Sequence, residues 1–399
     1  MTDRSIVEAA ARLRRHGDPH LIATVVGVEG SAYRRPGARM LLTQFRWLAG
    51  SVSGGCLEGD ISNQAWWQTR DGSPVLLTFD SGAHPAGVIG DDDLRSVFGL
   101  ACDGVVEVLL ERGSVPGRVD VLEFSAECLR SQQRGAVITV FRSASAHVKI
   151  GARLALRGGS EPIGESVDPI LREAMLNDAR SAIESGQSFN RLYSTDSGTV
   201  EAFVEAILPP PRLFVFGTGH DAVPIVELGR ALGWDVSICA GQPTVSAPHT
   251  EAQLSTRVST RQRFNRADEV LIGEPSEIAA RIDECDRAVA IVMGHNDDHD
   301  RNHLGMLLST RAQYIGVLGP RSRTARILAE LDRGEPVDDP RIHAPAGLEL
   351  GAETPEEVSL AIIAEIQSVL RHDPANSLRT RVGPIHDRTE RPTLEMAVA

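Results

Sequence analysis

A cysteine at the mouth of a helix is the feature of this sequence best suited to chemistry. In Ser53-Gly54-Gly55-Cys56-Leu57-Glu58-Gly59-Asp60 a strand pattern ends, two glycines strip the backbone bare, and Cys56 stands where a helix pattern begins. A helix N-terminus favours anions and lowers a thiol's pKa, so a thiolate there suits a soft metal or sulfur chemistry. The other reading is a small residue packed at a strand–helix turn, the usual fate of a free cysteine. Gly99-Leu100-Ala101-Cys102-Asp103-Gly104 is a second glycine-flanked cysteine, ahead of a strand, and the pair suggests one shared pocket. Arg34, Arg35 and Arg39 lie among glycines in the segment from Glu29 to Arg39. That segment reads either as an anion cradle or as a solvated surface loop.

Further along, Gly217-Thr218-Gly219-His220-Asp221-Ala222 directly follows a strand pattern and directly precedes a helix pattern. In that context glycines permit a tight turn, and bare amides at the helix start hold a phosphate or pyrophosphate. A nicotinamide dinucleotide also calls for an acid at the end of the next strand. Here that place holds Ala240 or Gly241, so NAD(P) binding is only half supported. Gly319-Pro320-Arg321-Ser322-Arg323-Thr324 is another strand-end loop with two arginines, at an edge where ligands bind in such folds, or else a solvated helix start. In Gly294-His295-Asn296-Asp297-Asp298-His299-Asp300-Arg301-Asn302-His303 the histidines step by four. This reads first as a solvent-facing polar loop and second as a metal site; His295, at a strand end, is placed to touch a ligand in the crevice.

The elements that must hold these groups follow from periodicity. Helical spacing runs through 5–16, 57–69, 118–132 and 168–185, and strand patterns occupy 21–28, 40–43, 47–52, 75–79 and 105–110. Further strands are expected near 136–142, 153–156, 189–194 and 199–207. Pro209-Pro210-Pro211 is a stiff break. Beyond it strands and helices alternate, the pattern of a parallel, doubly wound sheet. The last helix starts at Thr354-Pro355 with Glu357 three residues after the cap. The expected organisation is therefore α/β throughout: a mixed domain over 1–142, an extension or middle segment over 143–208, a Rossmann-like domain over 209–372, and a disordered tail over 373–399.

Composition removes several classes. With 41 basic and 54 acidic residues the net charge is −13, and aromatics are 4%. General nucleic-acid binding needs concentrated positive charge and stacking rings. No apolar run approaches the roughly 18 residues of a membrane helix, and Met-Thr-Asp-Arg-Ser opens no signal segment, so a cytoplasmic protein is expected. The 5 cysteines form no Cys-x-x-Cys and no disulfide framework. There is no Gly-x-Ser-x-Gly elbow, Walker loop or His-Glu-x-x-His.

Taken together, the segments 26–40, 54–58, 99–104, 216–224, 292–296, 314–323 and 344–357, in that order, resemble the xanthine dehydrogenase accessory factor family, the XdhC/CoxI proteins. Asp103 and the 140–208 stretch depart from the family pattern. The resemblance implies an N-terminal XdhC-type domain and a C-terminal Rossmann-like domain. It implies a homodimeric cytoplasmic carrier rather than a turnover enzyme. Such a carrier binds the molybdenum cofactor (molybdopterin), assists its sulfuration with a cysteine desulfurase, and delivers it to a molybdenum hydroxylase. On that reading Cys56 and Cys102 act at the sulfur and metal end, with Cys56 as the metal contact. Arg34, Arg35, Arg39, Gly54, Gly55, Gly217, Gly219, His220, Asp221, His295, Arg321 and Arg323 hold the rest of the cofactor. The competing expectation is an NAD(P)-dependent oxidoreductase working through Gly217 and Gly219.

Overall fold

The computed structural model describes residues 4–30, 34–80, 95–97, 104–164, 168–240, 260–294, 296–331, 339–382 and 393–394. The chain divides into two units, one of residues 1–208 with 378–399, the other of 209–377.

The first unit holds two sheets. The first contains β1 (Leu21–Gly30), β2 (Arg39–Leu42), β3 (Trp47–Gly50), β4 (Val75–Asp80), β5 (Arg95–Val97) and β6 (Gly104–Arg112), in the order β3-β2-β1-β6-β4-β5. The second contains β7 (Gly135–Ser143), β8 (Arg153–Arg157), β9 (Ile163–Gly164), β10 (Phe189–Thr195) and β11 (Gly198–Ile207). Thr393–Leu394 adds a short parallel strand beside β10. An open strand edge has unpaired amides and carbonyls that accept such a segment; the sequence reading placed these two residues in a disordered tail. Within 143–208, β8 to β11 belong to the second sheet, with β11 paired along β7 from Val200 to Ile207.

Helices α1 (Arg4–His16), α2 (Glu58–Gln68), α3 (Val121–Ser131) and α4 (Pro169–Ser185) complete this unit. Leu57, Ile61 and Ala65 set α2 against Val25, Leu77 and Phe79 of the first sheet. Leu171, Met175 and Ala179 set α4 against Ile138, Val140 and Tyr193 of the second. Between the sheets, Val26 and Leu109 meet Phe141 and Phe203. β1 is covered on both faces, so it reads as one apolar run rather than an alternation.

Charge crosses the same interior. Arg39 on β2 and Glu205 on β11 are 7% and 6% exposed and form a two-pronged pair, with Nη1 to Oε1 at 2.7 Å. Arg153 on β8 pairs with Glu111 on β6, and Arg142 on β7 with Glu107 on β6 and Glu201 on β11. Arg39, Glu205, Arg153 and Glu111 are all buried, so each of these needs its partner to stay ionised inside, whereas Arg142 is part-exposed.

The second unit is a parallel sheet of β12 (Arg212–Phe216), β13 (Asp235–Cys239), β14 (Glu269–Leu271), β15 (Ala288–Val292), β16 (Tyr314–Val317) and β17 (Ile342–His343), in the order β14-β13-β12-β15-β16-β17. In chain order this is 3-2-1-4-5-6, the Rossmann arrangement, and the expected α/β fold is borne out. Helices α5 (Ala222–Ala231) and α9 (Pro355–Arg371) cover one face; α6 (Pro275–Asp283), α7 (Asp297–Leu308) and α8 (Arg321–Leu331) cover the other. The start of α9 carries the expected capping box between Thr354 and Glu357.

Urea unfolding tests the buried pair. Arg39→Ala or Glu205→Ala alone is expected to cost about 3–5 kcal/mol, because one charge is stranded. An Arg39→Met/Glu205→Leu double variant is expected to lose less than either single one.

Candidate functional site

Strand register fixes where the first-half motifs leave the first sheet. Met40 pairs with Gly50 and with Ala23 of β1, so β3 ends beside the start of β2, level with Ala23, and the 51–57 loop leaves from there. Gly30 pairs with Gly104 and Asp80 with Val105, so β1 ends, β6 begins and β4 ends toward the same side. The connection from β1 to β2 carries Arg34 and Arg35, both exposed. Cys102 lies outside the described residues; Gly104, two positions on, opens β6 at this end.

Cys56 is exposed, at the tip of a loop whose base is buried through Val52 and Leu57. Gly54 and Gly55 take φ of 148° and 123°, a region that side chains other than glycine's rarely adopt. The amides of residues 52–55 are not open to a ligand. The carboxylate of Glu58, 3% exposed, takes these four: Oε1 accepts from Val52 N (3.1 Å), Ser53 N (2.9 Å) and Gly54 N (3.4 Å), and Oε2 from Gly55 N (2.9 Å). The hydroxyls of Ser51 (2.7 Å) and Ser53 (2.5 Å) donate to the same carboxylate. Burial alone would raise the Glu58 pKa; these hydrogen bonds outweigh it and bring the value down to about 2. The expected role of Gly54 and Gly55 as an anion nest is therefore corrected: the nest exists, and an internal anion fills it.

Arg39 needs a similar correction. The sequence places it in an anion cradle, but its guanidinium is buried between the sheets on Glu205. Two strands of unlike sheets meet there, a contact that local spacing does not reveal. Glu58, which organises this loop, is a residue that sequence reasoning missed. The available signal was a carboxylate at the first helical position with Ser53 and two glycines just before it, a local arrangement that satisfies orphan amides.

In the second unit the parallel register places the expected loops at the carboxyl edge: Gly217–Asp221 after β12, Gly294 after β15, and Gly319–Arg321 after β16. His220 and Arg321 are exposed, and Asp221 is the N-cap of α5 without a side-chain capping bond. Gly217 is required by packing, since a Cβ there would lie 2.8 Å from Met293 Cγ and 2.9 Å from its carbonyl oxygen. Ala240 offers no carboxylate at the end of β13. Arg323 is spent internally: Nη2 donates to Asp300 at 2.7 Å and Nε to Asp297 at 2.9 Å. His295 lies outside the described residues.

The histidine segment is a helix from Asp297, not a polar loop. Asn296 caps it by accepting from His299 N at 3.0 Å, and Asp297, Asp298 and Asp300 favour its positive end. His299 is exposed, whereas the His303 ring lies 4.9 Å from that of Phe216 and burial lowers its pKa. Among the described residues there is no group of three or more side chains that could hold a metal ion. None of the described helices is long and apolar enough to cross a membrane.

Comparison with known proteins agrees with this architecture. A family model described as the XdhC and CoxI family matches residues 13–80, and one described as the XdhC Rossmann domain matches residues 213–366. The chain is 30% identical over 348 residues to a protein of Bacillus subtilis (strain 168) described as a probable xanthine dehydrogenase subunit, spanning 87% of this chain and 92% of that protein. It is 27% identical over 184 residues to an uncharacterised protein, YqeB, of Escherichia coli (strain K12), spanning 44% of this chain and 30% of that one. A crystal structure described as a xanthine dehydrogenase from Bacillus halodurans shares the fold, with a TM-score of 0.66 and 24% identity, over 94% of this chain and 98% of that one.

The burial of the other thiols sets an order of reactivity. Burial pushes Cys128 up to about 11 and raises Cys239 and Cys285 as well. Of Cys56, Cys128, Cys239 and Cys285, only Cys56 is expected to react with iodoacetamide in the folded chain near pH 8, as read by peptide mass spectrometry; the other three react after unfolding.

Proposed function

This chain belongs to the XdhC and CoxI family, and from that premise we propose that it is a maturation factor for a molybdenum hydroxylase. It binds the molybdenum cofactor as cargo, supports its sulfuration with a cysteine desulfurase, and delivers it to a xanthine dehydrogenase- or carbon monoxide dehydrogenase-type client. The observation that carries this reading is the exposed Cys56 on a loop fixed at its base. A thiolate is a soft ligand suited to molybdenum, or to holding a persulfide sulfur for transfer. Arg34 and Arg35, exposed on the connection from β1 to β2, are the guanidinium groups proposed to meet the phosphate of the pterin. Arg39 and the amides of 52–55 are excluded from that task by their internal partners. The protein acts as a carrier, in the cytoplasm and as a homodimer. Cys102, His220, Asp221, His295 and Arg321 remain in the proposal as further contacts with the cargo.

The strand order of the second unit supports one competing reading, an NAD(P)-dependent oxidoreductase. Ala240 weighs against it, because the ribose hydroxyls find no carboxylate there.

Retention of cargo tests the proposal. The full chain is mixed with free molybdenum cofactor, filtered, and assayed for molybdenum and pterin. Retention is expected near one equivalent, and Cys56→Ser is expected to weaken it about tenfold, or about 1.4 kcal/mol. Retention no better than that of a non-binding control protein rejects the carrier. Saturable NAD(P) binding with a substrate-linked absorbance change favours the oxidoreductase instead.

A further inference from the structure

Glu58 organises the loop in a way that cofactor binding alone does not call for. We propose that Glu58 is a positioning residue for Cys56: a built-in anion that fills the glycine nest, pins the backbone before the thiol, and holds the thiol toward solvent. The inference rests on the reading of Cys56 as the cargo contact and deepens it.

The geometry brackets Cys56 from both sides. On its N-terminal side Gly55 N is tied to Glu58 Oε2 at 2.9 Å, and on its C-terminal side Leu57 N is tied to Ser53 Oγ at 3.0 Å. Ser53 Oγ also donates to Glu58 Oε2 at 2.5 Å, so both ties end on one carboxylate. That carboxylate cannot drift, because it opens α2, whose Ile61 and Ala65 are fully buried on the first sheet. Leu57, also fully buried, anchors the residue between them. Cys56 is thus an exposed residue between immobilised neighbours, with the two glycines allowing the sharp backbone path that leads to it.

One consequence follows. The nest is already filled, since the amides of residues 52–55 and the hydroxyls of Ser51 and Ser53 point at the Glu58 carboxylate. A cargo anion must then be met by donors elsewhere, and selection at this loop is by sulfur.

The test uses the full chain and needs no cofactor. The Cys56 alkylation rate at about pH 8 is followed by peptide mass spectrometry in the native chain, Glu58→Ala and Ser53→Ala, alongside the urea unfolding midpoint. Both variants are expected to change the rate about threefold or more, because each cuts a tie beside Cys56. Acetate is expected to enter the vacated nest of Glu58→Ala and return the rate toward native, while chloride at equal ionic strength does not. A native rate in folded Glu58→Ala overturns the proposal. So does a change in Glu58→Ala that merely follows the unfolding midpoint and ignores acetate. If the alanine variant at position 58 does not fold, the Ser53→Ala rate decides alone. Failed cofactor retention with a changed rate rejects the cargo reading and keeps the role of Glu58. Normal retention with an unchanged rate does the reverse.

Discussion

A carboxylate withdrawn from water must be matched by donors, and in this chain the buried ones draw them from the fold itself. Glu205 takes the guanidinium of Arg39 across two sheets, Glu111 takes that of Arg153, and Glu107 shares Arg142 with Glu201. Glu58 takes four amides and two hydroxyls of one loop. Asp300 takes Arg323, and Glu365 takes the Tyr314 hydroxyl, the Gly347 amide and a His343 ring nitrogen. For Glu205 and Glu111, both buried, removing the arginine leaves an anion away from water.

This constraint reshapes the functional surface. An acidic chain with arginines among glycines invites the picture of cradles awaiting a phosphate. Much of that positive potential is already spent. On the first sheet the exposed groups among the expected site residues are the Cys56 thiol and, between β1 and β2, Arg34 and Arg35. At the carboxyl edge of the Rossmann sheet they are His220 and Arg321.

Much of the fold was legible in the residues. The run from Leu21 to Val28 reads as a strand buried on both faces, and β1 is one. Thr354, Pro355 and Glu357 announce the start of α9, and the capping box is there. Alternation after the three prolines yields the parallel sheet. The polar segment ending at His303 reads as a loop and yet is helical from Asp297. Its cap and helix-stabilising acids are residue types equally common in turns. The Cys56 segment was legible as a strand–glycine–helix junction. That its amides serve Glu58 was written in neighbouring residues, but only side-chain direction reveals it.

By itself, the sequence determined the elements, the Rossmann alternation, the family and the cysteine at the helix mouth. These depend on local spacing and on backbone preferences that neighbouring residues set. Tertiary structure alone decided that Arg39 and Arg323 are committed internally. Arg39 and Glu205 are 166 positions apart in the chain, and Arg323 and Asp300 meet only because two crossover helices pack side by side. A guanidinium's freedom is a property of what packs against it, and periodicity carries no record of that.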